Sequence, residues 1–289
     1  MESKPARILI RAGSAFTLAF LYVPLAIVVI YAFNDAIGQS WPIKDYTTKW
    51  FGIAFREERV RQALVTSLEV AMLATALALI LGSAAAFAVH RFRFFGRNAV
   101  SFLLVLPIAL PGIVTAIALR SAIETFGVSF GVLTIVIGHA TFCIVVVYNN
   151  VLARLRRTPT SLVEASMDLG ADGWQTFRHV TFPAIRTAVV AGALLAFALS
   201  FDEIVVTNLT SGNEITIPKF IYNNMRQPRN RPIVNVVAVV VVLVMLIPIY
   251  LAQRLAGGGE GLGAPHGAGE VEGSENTITA AAIAQAGQP

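Results

Sequence analysis

The run at 233–251, "IVNVVAVVVVLVMLIPIYL", holds no charged residue. It is long enough to cross a bilayer as a helix, for which about 20 predominantly apolar residues suffice. Five further apolar runs reach a comparable length, at 14–33, 66–89, 100–119, 131–153 and 187–208, with acids only at Glu69, Asp202 and Glu203. A soluble core helix needs only about 10–14 apolar residues, so runs this long and this numerous exclude a soluble helical core. Composition agrees: 56% of residues are hydrophobic and 13% charged, against about 25% charged in an average soluble domain. The expected fold is all-α, a polytopic membrane protein with six transmembrane helices.

The first run follows Lys4, Arg7 and Arg11, as a secretory leader would. It outlasts the roughly 7–15 apolar residues of a leader and no small-residue cleavage site follows, so it reads as an uncleaved span. The third run is the least regular, because "VLPIALPGIV" places Pro107, Pro111 and Gly112 inside it. Proline removes a backbone donor and kinks a helix. Such a kink serves equally a permeation path or ordinary packing where neighbours supply replacement partners. The chain divides into an N-terminus at 1–12, a membrane domain at 13–255 and a Gly/Ala-rich, acidic tail at 256–289 that carries His266 and is expected to be disordered.

Orientation rests on the short links. "HRFRFFGRN" between the second and third runs holds Arg91, Arg93 and Arg97 and no acid, which marks a cytoplasmic loop. Six spans then place both termini and the link after the fourth run on that side, in agreement with Arg154, Arg156 and Arg157. Arg226, Arg229 and Arg231 form an opposing exterior cluster. The net charge of +5 therefore reports membrane topology, and nucleic acid is not an expected partner. The lone Cys143 sits inside an apolar run and reads as packing.

Nothing in the sequence carries catalysis. There is no Gly-x-x-x-x-Gly-Lys-Ser/Thr phosphate loop, no His/Cys metal spacing and no nucleophile elbow. The chain is expected to bind no cofactor or metal of its own. Polar residues inside spans are costly and so are candidates for a path or a structural pair: Glu69, His139, and the adjacent Asp202 and Glu203. Neighbours on a helix are offset by about 100°, so at least one of the last two faces protein or water. With Pro107 and Pro111, the acids Glu69, Asp202 and Glu203 are the substrate-path candidates.

Between the fourth and fifth runs stands "SLVEASMDLGADGWQTFRHVTFPAIR", residues 161–186. Its first part is a good helix former with Leu162, Ala165 and Leu169 on one side. Ser161 and Glu164 are spaced as a capping box, Gly170 supplies a turn, and "DGWQTFRHV" resumes helix before Pro183. A connector lying at the headgroups and a docking surface that transmits motion fit these residues equally well.

At these residues the chain resembles the inner-membrane permease subunits of binding-protein-dependent ABC importers. Their loop reads Glu-Ala-Ala, three residues, Gly, nine residues, Ile-x-Leu-Pro; here Glu164-Ala165-Ser166, Gly170 and Val180-Thr181-Phe182-Pro183 keep the spacing. Ser166 stands for Ala, Val180 for Ile and Phe182 for Leu. The resemblance implies that this loop is a cytoplasmic coupling helix seated in an ATPase subunit, with Glu164, Ala165, Asp168, Leu169, Gly170 and Ala171 as coupling residues. It implies as partners a homodimeric ATPase that uses ATP and Mg, a second, non-identical permease and an extracytoplasmic substrate-binding protein, all at a bacterial inner membrane.

The text "LLAFALSFDEIVVTNLTSGNEITIPKFIYNNM" is most similar to the spermidine/putrescine subgroup, which implies a polyamine cargo. That subgroup places an acid after the second proline of the third span, where this chain has Gly112. Ferric iron, phosphonate or another small solute are the alternatives within the family, and a secondary transporter or channel is the alternative outside it. The exterior segment at 210–230 is expected to meet the binding protein, with Phe220 and Tyr222 as contacts or as membrane anchors.

Overall fold

The computed structural model describes residues 4–39 and 41–257. Twelve helices follow one another there: α1 (Lys4–Ala32), α2 (Lys49–Arg56), α3 (Glu58–Arg91), α4 (Arg97–Ala109), α5 (Gly112–Thr125), α6 (Val132–Arg157), α7 (Thr160–Asp168), α8 (Gly173–Thr176), α9 (Phe182–Phe201), α10 (Val205–Thr210), α11 (Ile217–Asn224) and α12 (Arg231–Gly257). Among the described residues no strand occurs beyond a single bridge between Asn34 and Tyr46. The expected tail and His266 lie, from residue 258 on, outside the described residues.

Five helices are long and apolar enough to span: Arg7–Ala32, Glu58–Arg91, Val132–Arg157, Gly173–Phe201 and Pro228–Leu255. The sixth expected span is the pair α4 and α5, bent by 106° between Ala109 and Gly112. Leu110 and Pro111 are extended at that joint, and Pro111 occupies the N-cap of α5. Pro107, by contrast, is carried inside α4. Proline thus breaks this run outright only at its second position, where the preceding residue is pushed out of helical conformation.

Small residues decide how the bundle closes. Ala71, Ala74, Ala78, Gly82 and Ala86 recur at three- and four-residue spacing on α3 and are buried. In hydrocarbon no hydrophobic effect drives helices together, so close backbone approach and dispersion do that work. At Gly82 a Cβ would lie 2.8 Å from the Ile144 carbonyl oxygen, which shows how near α6 comes. Cys143, Val147, Val151 and Leu155 from α6, with Ile185 and Ala196 from α9, complete this core. Cys143 is buried with Sγ 3.4 Å from the Ala196 carbonyl oxygen, as packing alone requires.

A second core joins α2, α11 and α12 to the outer half of α3 through Ala54, Ala63, Ile217, Phe220, Val234 and Val237. The Ile217 N–H donates to Ser67 Oγ at 2.8 Å, pinning α11 to α3. Phe220 is therefore core and not the exterior contact expected from sequence, whereas Tyr222 is exposed. The loop before α11 is closed by Lys219, whose Nζ donates to Ser211 Oγ, Glu214 O and Gly212 O at 2.6, 2.8 and 3.0 Å. Burial pulls the Lys219 ammonium below its ordinary pKa, and nearby Glu214 pushes it back up.

Candidate functional site

The 160–181 segment folds as two short helices and an unusual turn. α7 begins at Thr160 after Pro159, with no side-chain cap. The capping box expected from Ser161 and Glu164 does not form, because helix already includes Ser161. The box forms instead at α8: Asp172 Oδ1 accepts from the Gln175 N–H at 2.8 Å, and Gln175 Oε1 accepts from the Asp172 N–H at 3.0 Å. Between the helices Gly170 has φ +87°. The Gly170 N–H reaches Met167 O at 2.9 Å and the Ala171 N–H reaches Ser166 O at 3.1 Å, the paired bonds of a Schellman turn.

Ser166 Oγ lies 3.1 Å from Thr176 Oγ1, tying α7 to α8. The serine that departs from the resembled motif thus makes a hydrogen bond alanine cannot. After α8 the chain passes through a π-turn, Phe177–Thr181, and runs straight into α9. The helix was expected to stop before Pro183; the wider turn carries it through, the Phe182 N–H reaching back to Phe177 O. Pro183 has no N–H to donate and its ring crowds the preceding turn, and the wider π-turn accommodates both. Phe177 packs on Phe87 of α3 and on Trp174, each pair with ring centroids 5.6 Å apart.

No residue of α7 is buried. Leu162 is 50% exposed, Met167 40%, Trp174 67% and Leu169 89%. Glu164, Ala165, Asp168 and Gly170 are also exposed, and Ala171 is half-buried. The predicted coupling residues therefore share one open surface. Behind it a cleft of about 320 Å³ separates the loop from the ends of α3 and α6, lined by Phe87, His90, Leu155, Val163, Glu164 and Phe177.

The expected fifth span, 187–208, is not one helix. α9 stops at Phe201 and α10 begins at Val205. Glu203 causes the restart: its Oε1 accepts the Val205 and Val206 N–H groups at 2.8 and 3.0 Å. A carboxylate on the first free N–H groups of a helix satisfies donors that have no other partner. A new helix starts here because the Glu203 carboxylate takes up backbone N–H groups that an apolar residue would leave to the ladder.

His139 of α6 fastens this elbow. Its Nδ1 lies 2.8 Å from Ser200 Oγ and its Nε2 2.9 Å from Thr207 Oγ1. Thr207 Oγ1 donates onward to Glu203 O at 2.8 Å. The network leaves Nε2 as donor and Nδ1 as acceptor, an assignment made from the partners. At the far end of α10, Thr134 Oγ1 donates to Thr210 O at 2.7 Å. His139 is 1% exposed, so H139L strands the buried Ser200 hydroxyl and leaves Thr207 Oγ1 with its bond to Glu203 O alone. We expect that change to cost on the order of 1–3 kcal/mol, read as earlier heat-induced loss of the monodisperse protein; an unchanged midpoint contradicts the pinning.

The path candidates are not gathered into one cluster by ion pairs. Those among the described residues, Asp35–Lys49, Glu58–Arg61 and Glu124–Arg120, leave out Glu69, Asp202 and Glu203. Glu69 and Asp202 are exposed and Glu203 half-buried on its capping bonds. Pro107 lines an apolar cleft of about 330 Å³ inside the α4–α5 bend with Leu103, Val114 and Leu119, while Pro111 is exposed at the bend itself. Among the described residues no group of three or more His, Cys, Asp or Glu is arranged to hold a metal. The His139–Ser200–Thr207 fastening was not evident beforehand; a histidine with serine and threonine on later apolar runs was the available signal.

Comparison with known proteins places this geometry. Residues 78–257 match the family described as binding-protein-dependent transport system inner membrane component. A spermidine/putrescine transport system permease protein, PotC, of Haemophilus influenzae is 32% identical over 252 residues, covering 86% of this chain and 97% of that protein. A putrescine transport system permease protein, PotI, of Escherichia coli K12 is 34% identical over 248 residues, covering 81% and 87%. The fold is shared with a chain of a bacterial ABC transporter that imports the acidic polysaccharide alginate, at TM-score 0.66, 16% identity and coverage of 88% and 98%. The match over most of the membrane core and the identity to full-length permeases agree: this chain belongs to the inner-membrane permease components of binding-protein-dependent ABC importers.

Proposed function

We propose that this permease carries a polyamine of the spermidine or putrescine class, and that its α7–α8 loop is the coupling element. In this reading Glu164, Ala165, Asp168, Leu169, Gly170 and Ala171 dock in a cleft of a separate homodimeric ATPase, where ATP and Mg are consumed. A second, non-identical permease completes the membrane pair and an extracytoplasmic binding protein delivers the cargo. Both termini and the α7–α8 loop face the cytoplasm, in keeping with the basic loop around Arg91, Arg93 and Arg97. The observation that carries the reading is the open surface of α7, none of whose residues is buried, with Leu162, Met167 and the adjoining Leu169 exposed. The loop has a covalent, helical route into α9 through the π-turn, so displacement of α7 tilts α9 and strains the elbow at Asp202. Cargo class is supported by the names of the relatives and by Asp202, an exposed acid at that elbow.

The two acids are expected to behave differently. D202N removes a charge a cation would meet, and uptake should fall about tenfold, the effect of ~1.4 kcal/mol. E203Q keeps a carbonyl oxygen for the Val205 and Val206 N–H groups and should assemble normally with a smaller loss, whereas E203L removes the cap at a cost of about 1 kcal/mol. Equal effects of D202N and E203Q would contradict this division. The function is tested by uptake of labelled spermidine and putrescine into vesicles holding the assembled complex and its binding protein. ATP-dependent uptake is the predicted result. Uptake of a phosphonate or ferric chelate instead would replace the cargo, and uptake without ATP would overturn the importer reading.

A further inference from the structure

At the end of the bundle that carries the α7–α8 loop, α6, α9 and α12 splay apart. A cleft of about 340 Å³ opens there, lined by Asn149, Arg154, Arg157, Thr187, Ala188 and Leu255. Arg154 is half-buried and uses Nε to donate to Ala184 O at 2.9 Å, which fixes its guanidinium and leaves its terminal nitrogens for another acceptor. Arg157 lies three residues on, so the two guanidinium stems rise from neighbouring positions on one helix face. The ion pairs among the described residues include neither arginine. A positive pair, with Arg154 held in place beside amide and hydroxyl groups, is a site for a tetrahedral oxyanion, because guanidinium donors match phosphate oxygens in geometry as well as charge.

The cleft also has a direction. Leu251 stands one turn before Leu255 on α12 and Leu195 one turn after Ala191, another lining residue, on α9; both leucines are exposed. Each lies deeper in the bilayer than the arginines, since α12 runs toward this end and α9 away from it. The charged mouth therefore has exposed leucines one turn farther along two of its three helices. Basic pockets between spanning helices at a membrane face bind anionic lipid headgroups on this principle.

We propose that the α6–α9–α12 cleft binds a phosphate-bearing anion on Arg154 and Arg157, and that the phosphodiester of an anionic phospholipid supplies it in the membrane. The acyl chains lie along Leu251 and Leu195. A lipid so placed wedges against the start of α9, the helix into which the loop continues, and so sets the resting tilt of that helix. The site is separate from the proposed coupling surface and from the path residues, so its failure leaves the importer reading untouched.

The test reconstitutes the assembled permease in nanodiscs of phosphatidylcholine alone or with phosphatidylglycerol. Retained phosphatidylglycerol is measured after delipidation, together with the thermal midpoint. Wild type should retain phosphatidylglycerol and gain stability from it, and R157Q should retain about fivefold less. R156Q, which does not line the cleft, should match wild type. Arg157 carries the test because Arg154 also holds Ala184 and R154Q alone is at risk of misfolding. Equal retention by wild type and R157Q overturns the site. Inorganic phosphate at matched ionic strength that reproduces the whole stabilisation in phosphatidylcholine overturns the lipid as source. Loss of the bound lipid on assembly with partner subunits overturns it in favour of a partner's carboxylate.

Discussion

Replacing Gly170 by valine is expected to abolish ATP-driven uptake while the purified protein remains folded and inserted. The backbone there has φ +87°, and no atom lies within 4 Å of where a Cβ would stand. The penalty is thus conformational and not steric, roughly 1–2 kcal/mol for an L residue in the left-handed region and more for a β-branched one. The turn relieves it by giving up the Schellman bonds to Met167 and Ser166, which re-aims α7 relative to α8. An interface set by two or three side chains does not tolerate re-aiming, since removing a single buried anchor costs about 2 kcal/mol or more. Leu169→Asp tests the same surface without touching the turn, because that side chain is 89% exposed in the chain alone. Both variants should lose ATPase association in a pull-down and keep the wild-type elution profile. Wild-type uptake by Gly170→Val contradicts the assignment of the loop.

Gly82→Leu is the second large effect, and it acts on the fold itself. A Cβ at Gly82 meets the Ile144 carbonyl oxygen at 2.8 Å, Val147 Cβ at 3.0 Å and the Tyr148 nitrogen at 3.2 Å. Two of the three are backbone atoms, which cannot rotate away, so α3 and α6 must separate. Overpacking a close-packed site costs about 1–3 kcal/mol, and separating this pair loosens the core around Cys143, Val147 and Ala196 as well. We expect low yield in the membrane fraction and a markedly earlier thermal midpoint. Gly52→Ala is the control: nothing lies within 4 Å of that position, and alanine inside a helix is favoured over glycine by about 0.5–1 kcal/mol, so no loss of stability is expected. A Gly82→Leu protein as stable as Gly52→Ala would contradict the close approach.

The long apolar runs announce the spanning helices directly, because in hydrocarbon only a helix satisfies its own backbone and length is the whole requirement. Where polar residues interrupt the runs, sequence alone reads them less well. The bend expected from "VLPIALPGIV" is present, but only Pro111 breaks the helix while Pro107 is carried inside α4. The fifth run hides its break, since Asp202 and Glu203 read alike as substrate-path acids within one span, whereas Glu203 binds the N–H groups of Val205 and Val206 and starts a new helix. In the loop, Ser161–Glu164 and Asp172–Gln175 both have cap spacing; the helix start at Thr160 chooses the second. Phe220 reads as an exposed aromatic because α3, against which α11 packs, is about 150 residues away in sequence. The arginine cleft is illegible for the same reason, as it draws on three helices. Motif spacing fares better because the turn at Gly170 is a local matter.

The importer reading stands or falls on engagement of an ATPase by the α7–α8 surface. It is tested most directly with a cysteine at Leu169 and a short bifunctional cross-linker applied to the assembled complex, the native Cys143 being buried. A cross-link from residue 169 to the ATPase subunit is expected, altered in yield by ATP, and none from a control cysteine at the exposed Tyr222 of α11. A residue 169 that reacts only with reagents supplied outside the cell, or that links to no ATPase while uptake is intact, would contradict it.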